Sequence, residues 1–121
     1  MKKVLCVFAI VGIIMLLYSC SKGNGSDSGN GNPTTSACDN ISKTWSTDVS
    51  PLISSFCNQP GCHSTGSSNG PGALTSYAQV FAARNQVRDA VQSGRMPQNA
   101  TLSADQKNKI ICWINSGAPN N

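Results

Sequence analysis

One stretch decides the fold predicted for this chain: Phe56-Cys57-Asn58-Gln59-Pro60-Gly61-Cys62-His63, in which two cysteines run into the only histidine of 121 residues. It is a widened form of the C-x-x-C-H pattern for attaching c-type haem, with four residues between the cysteines. Two thiols add to the two vinyl groups of the porphyrin, and the adjoining histidine lies beneath the iron as proximal ligand. Cys57 and Cys62 are therefore candidate covalent haem residues, and His63 is a candidate iron ligand.

The two extra residues of the motif fall where the chain can turn tightly. Pro60 and Gly61 are the residue types preferred at the two centres of a type II turn. Such a turn would accommodate the insertion and present both sulfurs to one edge of a haem. The alternative is a disulfide between Cys57 and Cys62 beside an incidental histidine.

A second axial ligand has to come from another part of the chain, and Met96 is the candidate. It lies in Ser93-Gly94-Arg95-Met96-Pro97. The residue before a proline avoids helical backbone angles, so Met96 is predicted on an extended loop. The alternative is a methionine that fills a gap in the core.

The N-terminus has the pattern of a secretion signal. Lys2 and Lys3 precede a short apolar run and then Ser19-Cys20. We interpret residues 1–19 as a lipoprotein signal peptide and Cys20 as the lipid anchor, with an uncleaved signal anchor as the alternative. Residues 20–37, rich in Gly, Ser and Asn, are predicted to be a flexible linker. The predicted location is the cell envelope of a bacterium, tethered to a membrane and facing the periplasm or the cell surface.

Residues 38–121 are predicted to form one small domain that needs a stabilising cross-link or cofactor. The formal charge of the chain is +4. Without Lys2 and Lys3, seven basic residues face five acidic ones, so the charge falls to about +2. Because no Lys/Arg cluster is present, we expect no nucleic-acid partner. The domain has no glutamate and no second histidine for acid–base work, so we do not expect an enzyme.

The remaining cysteines of the domain, Cys38 and Cys112, are predicted to form a disulfide in an oxidising compartment. The chain-entropy treatment gives such a long loop roughly 4 kcal/mol of stabilisation. Two alternatives stay open: the four domain cysteines form two disulfides in one of three pairings, or some of them bind zinc, for which the spacing is poor.

Hydrophobic periodicity predicts an all-α domain. A first helix carries Val49, Leu52, Ile53 and Phe56 on one face, with Asp48 as its cap and Pro51 in its first turn. A second helical stretch, Ser76 to Ser93, is expected to break near Asn85 and to end at Gly94. A last helix begins with a Ser103/Gln106 capping box, ends at Gly117, and is expected to pack against the first helix. Trp113 is expected in the core rather than at a haem edge.

Together these segments resemble small mono-haem class I cytochromes c, in particular bacterial lipoprotein and planctomycete-type cytochrome c domains. The resemblance covers about residues 46–119. It is carried by Pro51-Leu52-Ile53, Cys57-x4-Cys62-His63, Leu74-Thr75-Ser76-Tyr77, Ser93-Gly94-Arg95-Met96-Pro97, Leu102-Ser103 and Trp113-Ile114-Asn115-Ser116-Gly117-Ala118-Pro119. The wide cysteine spacing departs from the family pattern and leaves open whether both thiols attach.

The resemblance implies a helical fold around one covalent haem c, in which the first and last helices cross. It also implies thioethers at Cys57 and Cys62, and iron ligation by His63 and Met96. The expected function is electron transfer with redox proteins of the envelope, because His/Met ligation leaves no open iron position. The alternatives are a haem-based sensor in which Met96 is labile, and a haem-free, disulfide-stapled interaction module of the envelope.

Overall fold

The computed structural model describes residues 35–121, and all regular secondary structure in this range is helical. The predicted signal peptide, Cys20 and most of the predicted linker lie outside the described residues. The elements, in chain order, are a 3₁₀-helix Thr35–Cys38, a π-helical segment Trp45–Val49, and the helices α1 Ser50–Phe56, α2 Tyr77–Ala82, α3 Arg84–Gln92 and α4 Ala104–Asn115. The all-α prediction is thus confirmed for this range.

The first helical region begins earlier than the sequence predicts, because the π-helical segment precedes α1 without a break. The prediction that Asp48 caps α1 is therefore wrong: the N-cap residue is Val49, and its side chain makes no capping hydrogen bond. The Asp48 carboxylate instead accepts the backbone N–H of Thr44 at 2.9 Å, at the start of the π-helical segment. Pro51 lies in the first turn of α1, as predicted.

The second helical stretch is broken, as predicted, with Ala83 between α2 and α3. The Ser76 side chain caps α2 by accepting the backbone N–H of Gln79. Gly94 follows α3 with a φ of 71°, a left-handed conformation that glycine adopts without steric cost. The chain therefore leaves α3 sharply and enters the loop that carries Met96.

The last helix, α4, has the predicted capping box between Ser103 and Gln106. It packs mainly against α3 and the π-helical segment, and it also contacts the 3₁₀-helix. The prediction that α4 packs mainly against the helix carrying Leu52 and Phe56 is thus wrong: α3 and the segment before α1 are the main partners, because the π-helical turn places Trp45 and Val49 against α4. Trp113 is fully buried in the core, as predicted, and its indole N–H donates to the Pro119 carbonyl at 2.9 Å.

One hydrophobic cluster joins all the helices from Trp45–Val49 to α4. Trp45 stacks at a tilt against Trp113 with ring centroids 5.2 Å apart, and Tyr77 packs edge-on against Trp45 at 5.4 Å. The buried members of the cluster are Val49, Ile53, Cys57, Leu74, Val80, Ala83, Val87, Val91, Leu102, Ile110, Ile111, Trp113, Ile114 and Ala118.

A disulfide and two hydrogen bonds join the N-terminal part of the domain to its C-terminal part. Cys38 and Cys112 form a disulfide with their Cα atoms 5.4 Å apart, which confirms the predicted pair. The backbone N–H groups of Trp45 and Ser46 donate to the side chain and backbone of Asn121. Within residues 35–121 no helix is long and apolar enough to cross a bilayer.

Candidate haem-attachment site

The C-terminal end of α1 delivers the two-cysteine motif. Cys57 is the C-cap of this helix, and its backbone N–H donates to the Ile53 carbonyl at 2.9 Å. Ile53 is buried in the core, so the first cysteine is held by a packed element. Leu52 and Phe56 on the same helix are half-buried, and they add apolar surface next to the motif.

The four residues between the cysteines form a closed turn. The Cys62 N–H donates to the Gln59 carbonyl at 2.9 Å, and Gly61 has a φ of 79°. Proline then glycine at the two centres, with this hydrogen bond, are the features of the predicted type II turn. The His63 N–H donates to the Cys57 carbonyl at 3.1 Å, so the motif closes on itself despite its extra length.

The side chain of Gln59 ties this turn back to α1. Its amide donates to the carbonyls of Ser54 and Ser55 at 2.9 and 3.0 Å. These carbonyls belong to the last turn of the helix, where no intrahelical partner remains for them. Gln59, one of the four residues between the cysteines, therefore caps the helix that ends at the first cysteine.

Cys57 and Cys62 are both free thiols, whereas the other two described cysteines are bridged to each other. The predicted alternative of two disulfides is therefore not what the structure has. Cys57 is only 7% exposed, while Cys62 is half-buried. Burial raises the pKa of the Cys57 thiol to about 11, and the neighbouring Cys62 adds to the shift. At neutral pH the first thiol is therefore protonated.

The imidazole of His63 is buried, with 7% of the residue exposed, and one of its nitrogens is already engaged. Nδ1 lies 2.8 Å from the Gly72 carbonyl oxygen. Because a carbonyl only accepts, Nδ1 carries a proton, and in a neutral imidazole the lone pair is then on Nε2. Histidines that ligate metals almost always donate their other ring N–H in this way. This hydrogen bond favours the neutral tautomer that an iron ligand needs.

The loop after the motif wraps back over it. The Ser67 hydroxyl donates to the Cys62 carbonyl, and the Asn69 side-chain amide donates to the carbonyls of Gly61 and Cys62 at 2.9 and 3.1 Å. A Cβ placed on Gly70 would lie 3.8 Å from the His63 ring, so this backbone passes close to the imidazole. Neither Asn69 nor Gly72 is among the site residues predicted from the sequence, although the run Asn69-Gly70-Pro71-Gly72 is typical of a turn.

Met96 lies on a different loop, directly after α3. The residue is half-buried, and its backbone N–H donates to the Ala90 carbonyl at 3.1 Å, which ties the loop to the end of that helix. The structure thus brings Cys57, Cys62 and His63 together in one closed segment. The role of Met96 as second ligand stays a prediction.

Two other features of residues 35–121 bear on what this region can bind. No three His, Cys, Asp or Glu side chains of this range converge in the way that a zinc centre would require. A cavity of about 100 Å³ beside α1, lined in part by Trp45, Ile53 and Leu74, has room for a few water molecules but not for a porphyrin.

The residues present fit covalent haem on chemical grounds. Two unbridged thiols flank a closed turn, and the next residue is a histidine whose Nδ1–H already donates to a backbone carbonyl. Comparison of the chain with protein-family models, curated proteins and solved structures gives no match.

Proposed function

We propose that this protein is a membrane-tethered, mono-haem c-type cytochrome that transfers electrons. The observation that carries the proposal is the hydrogen bond between His63 Nδ1–H and the Gly72 carbonyl, at 2.8 Å, next to two free thiols. A histidine whose Nδ1–H is engaged, directly after two unbridged cysteines, is the arrangement that a c-type haem site would use.

Each residue has a defined part in holding the group. The sulfurs of Cys57 and Cys62 would each bond to one vinyl carbon while the thiol hydrogen goes to the other carbon, so no oxidant is needed. His63 would ligate through Nε2, and Met96 would supply the second axial ligand. Bound haem supplies the one-electron Fe(III)/Fe(II) couple. The polypeptide contributes ligation, burial and an exposed edge toward partners.

The proposed setting follows from the N-terminal sequence. Residues 1–19 would direct export and Cys20 would carry the lipid, so the domain would face the periplasm or the cell surface of a bacterium. Redox proteins of the envelope are the proposed partners. The Cys38–Cys112 disulfide agrees with an oxidising compartment.

A haem stain of the denatured, exported full chain tests the proposal. The wild-type band is expected to keep its colour after denaturation, because thioethers survive it. The double variant Cys57→Ala/Cys62→Ala should lose the stain. The matched control Cys38→Ala/Cys112→Ala, which removes the other two domain cysteines, should keep it. A wild-type band that never stains rejects the proposal.

A further inference from the structure

Asn69 makes an unusual set of contacts for an exposed loop residue. Its side-chain amide donates to the carbonyls of Gly61 and Cys62, which belong to the turn of the two-cysteine motif. Its own backbone carbonyl accepts the N–H of Gly72 at 2.9 Å. One residue is therefore bonded to the attachment turn on one side and to Gly72 on the other.

Gly72 connects this arrangement to the imidazole. Its N–H is held by Asn69, and its carbonyl accepts the Nδ1–H of His63 at 2.8 Å. Gly72 has a φ of 87°, a left-handed conformation open to glycine, and this geometry sends its two polar groups to different partners. Leu74 donates its N–H to the His63 carbonyl at 2.8 Å and so closes the loop on the far side.

We infer that Asn69 is a positioning residue for His63: its side-chain amide fixes the 64–72 loop on the attachment turn and thereby keeps the Gly72 carbonyl on Nδ1–H. This bond holds the imidazole in one tautomer and makes Nε2 a stronger electron donor. The effect on an iron ligand rests on the proposed function. The effect on exchange of the His63 Nδ1 proton follows from the hydrogen bonds alone.

The first test measures exchange of the His63 Nδ1 proton with solvent by NMR of the ¹⁵N-labelled full chain. Asn69→Ala removes both amide donors, and their loss should raise the exchange rate about tenfold, which corresponds to about 1.4 kcal/mol. The control is Ser68→Ala on the same exposed loop, because the Ser68 side chain makes no hydrogen bond in the described structure. Equal exchange rates in both variants and wild type would overturn the inference.

The second test measures the reduction potential of the same variants in haem-loaded protein. A weaker His63–Gly72 bond makes Nε2 a poorer donor, which disfavours Fe(III), so Asn69→Ala should shift the potential upward relative to wild type and Ser68→Ala. An unchanged potential alongside faster exchange would overturn the part of the inference that concerns iron. Protein that carries no haem at all would instead reject the proposed function, and the exchange test would still decide the role of Asn69.

Circular dichroism of each variant checks that the helices persist. If Asn69→Ala does not fold, Asn69→Ser replaces it, because the short hydroxyl cannot reach both carbonyls. A folded Asn69→Ser with wild-type proton exchange would also overturn the inference.

Discussion

At the scale of single residues, the account depends on the two side chains proposed as iron ligands, His63 and Met96. The Nδ1–H of His63 donates to the Gly72 carbonyl, so Nε2 is the nitrogen that could ligate. Met96 is the second residue to which a ligand role is assigned, and it is half-buried on the loop behind α3. If the proposed haem is bound, substitution of the half-buried Met96 should therefore change the visible spectrum without unfolding the domain.

Met96→Ala is expected to keep haem attached but to lower its reduction potential, because a thioether ligand raises the potential. The reduced variant should also bind carbon monoxide at the freed position. Redox titration and visible spectra with and without carbon monoxide measure both effects. The control is Arg95→Ala, an exposed neighbour on the same loop.

An unchanged potential in Met96→Ala would reject methionine ligation. Carbon monoxide binding by the reduced wild type, with the same potential as the variant, would favour the sensor interpretation, in which the sixth position is open.

At the scale of elements, two side chains fasten the helix ends that lead into the motif. Gln59 caps the end of α1 through the carbonyls of Ser54 and Ser55, and Asp48 fastens the start of the π-helical segment through Thr44. Hydrophobic periodicity predicts neither role: Gln59 acts from the turn that follows α1, and Asp48 acts across the first turn of its own segment, on Thr44.

Gln59→Ala should destabilise the domain by about 0.5–1 kcal/mol, since two exposed hydrogen bonds to helix-end carbonyls are lost. Urea unfolding followed by circular dichroism measures the change. Gln98→Ala is the matched control, an exposed glutamine on a loop, and it should be neutral. Equal destabilisation by both substitutions would contradict the capping role of Gln59.

Asp48 should make the stability of the domain depend on pH. Its pKa is lowered from 3.8 to about 2, mainly by the hydrogen bond from the Thr44 backbone, with Ser42 and Lys109 assisting against the opposing effect of burial. Because the folded pKa is below the unfolded one, the stabilisation is present above about pH 4 and is lost as the pH falls toward 2.

The difference in unfolding free energy between wild type and Asp48→Asn should therefore be largest near neutral pH and shrink between pH 4 and 2. Chemical unfolding at a series of pH values measures this difference. A difference that stays constant across that interval would show that Asp48 contributes through something other than its charge.

At the scale of the whole molecule, the disulfide and the C-terminal hydrogen bonds join the start of the domain to its end. Cys38→Ala/Cys112→Ala should lower the free energy of unfolding by up to about 4 kcal/mol, because the bridge closes a loop of 74 residues. Urea unfolding of the oxidised wild type and the double variant measures this loss. A loss below about 1 kcal/mol would mean that helix packing and the Asn121 hydrogen bonds hold the ends together without the bridge.

Local signals in the sequence were sufficient for most of the helical framework. Capping residues such as Ser103, the Pro60-Gly61 turn and Gly94 after α3 act within a few residues of themselves, so their effect can be predicted without the fold. The position of Asp48 was predicted wrongly, because the π-helical segment depends on packing against α4, which no local pattern encodes.

The candidate site divides in the same way. The spacing of Cys57, Cys62 and His63 predicts them as one candidate site, whereas Asn69 and Gly72 act through contacts formed only when the glycine-rich loop folds back. That Met96 and His63 ligate the same iron is a prediction from the sequence, and spectroscopy of the Met96 variant tests it.

The most direct test of the central claim is the mass of one proteolytic fragment. Trypsin cleaves after Lys43 and Arg84, so residues 44–84 carry both free cysteines and His63 in one peptide. From exported protein, this fragment is predicted to be heavier by one haem and to absorb visible light. A colourless fragment with the mass of the bare peptide, or of a Cys57–Cys62 disulfide, would contradict the account.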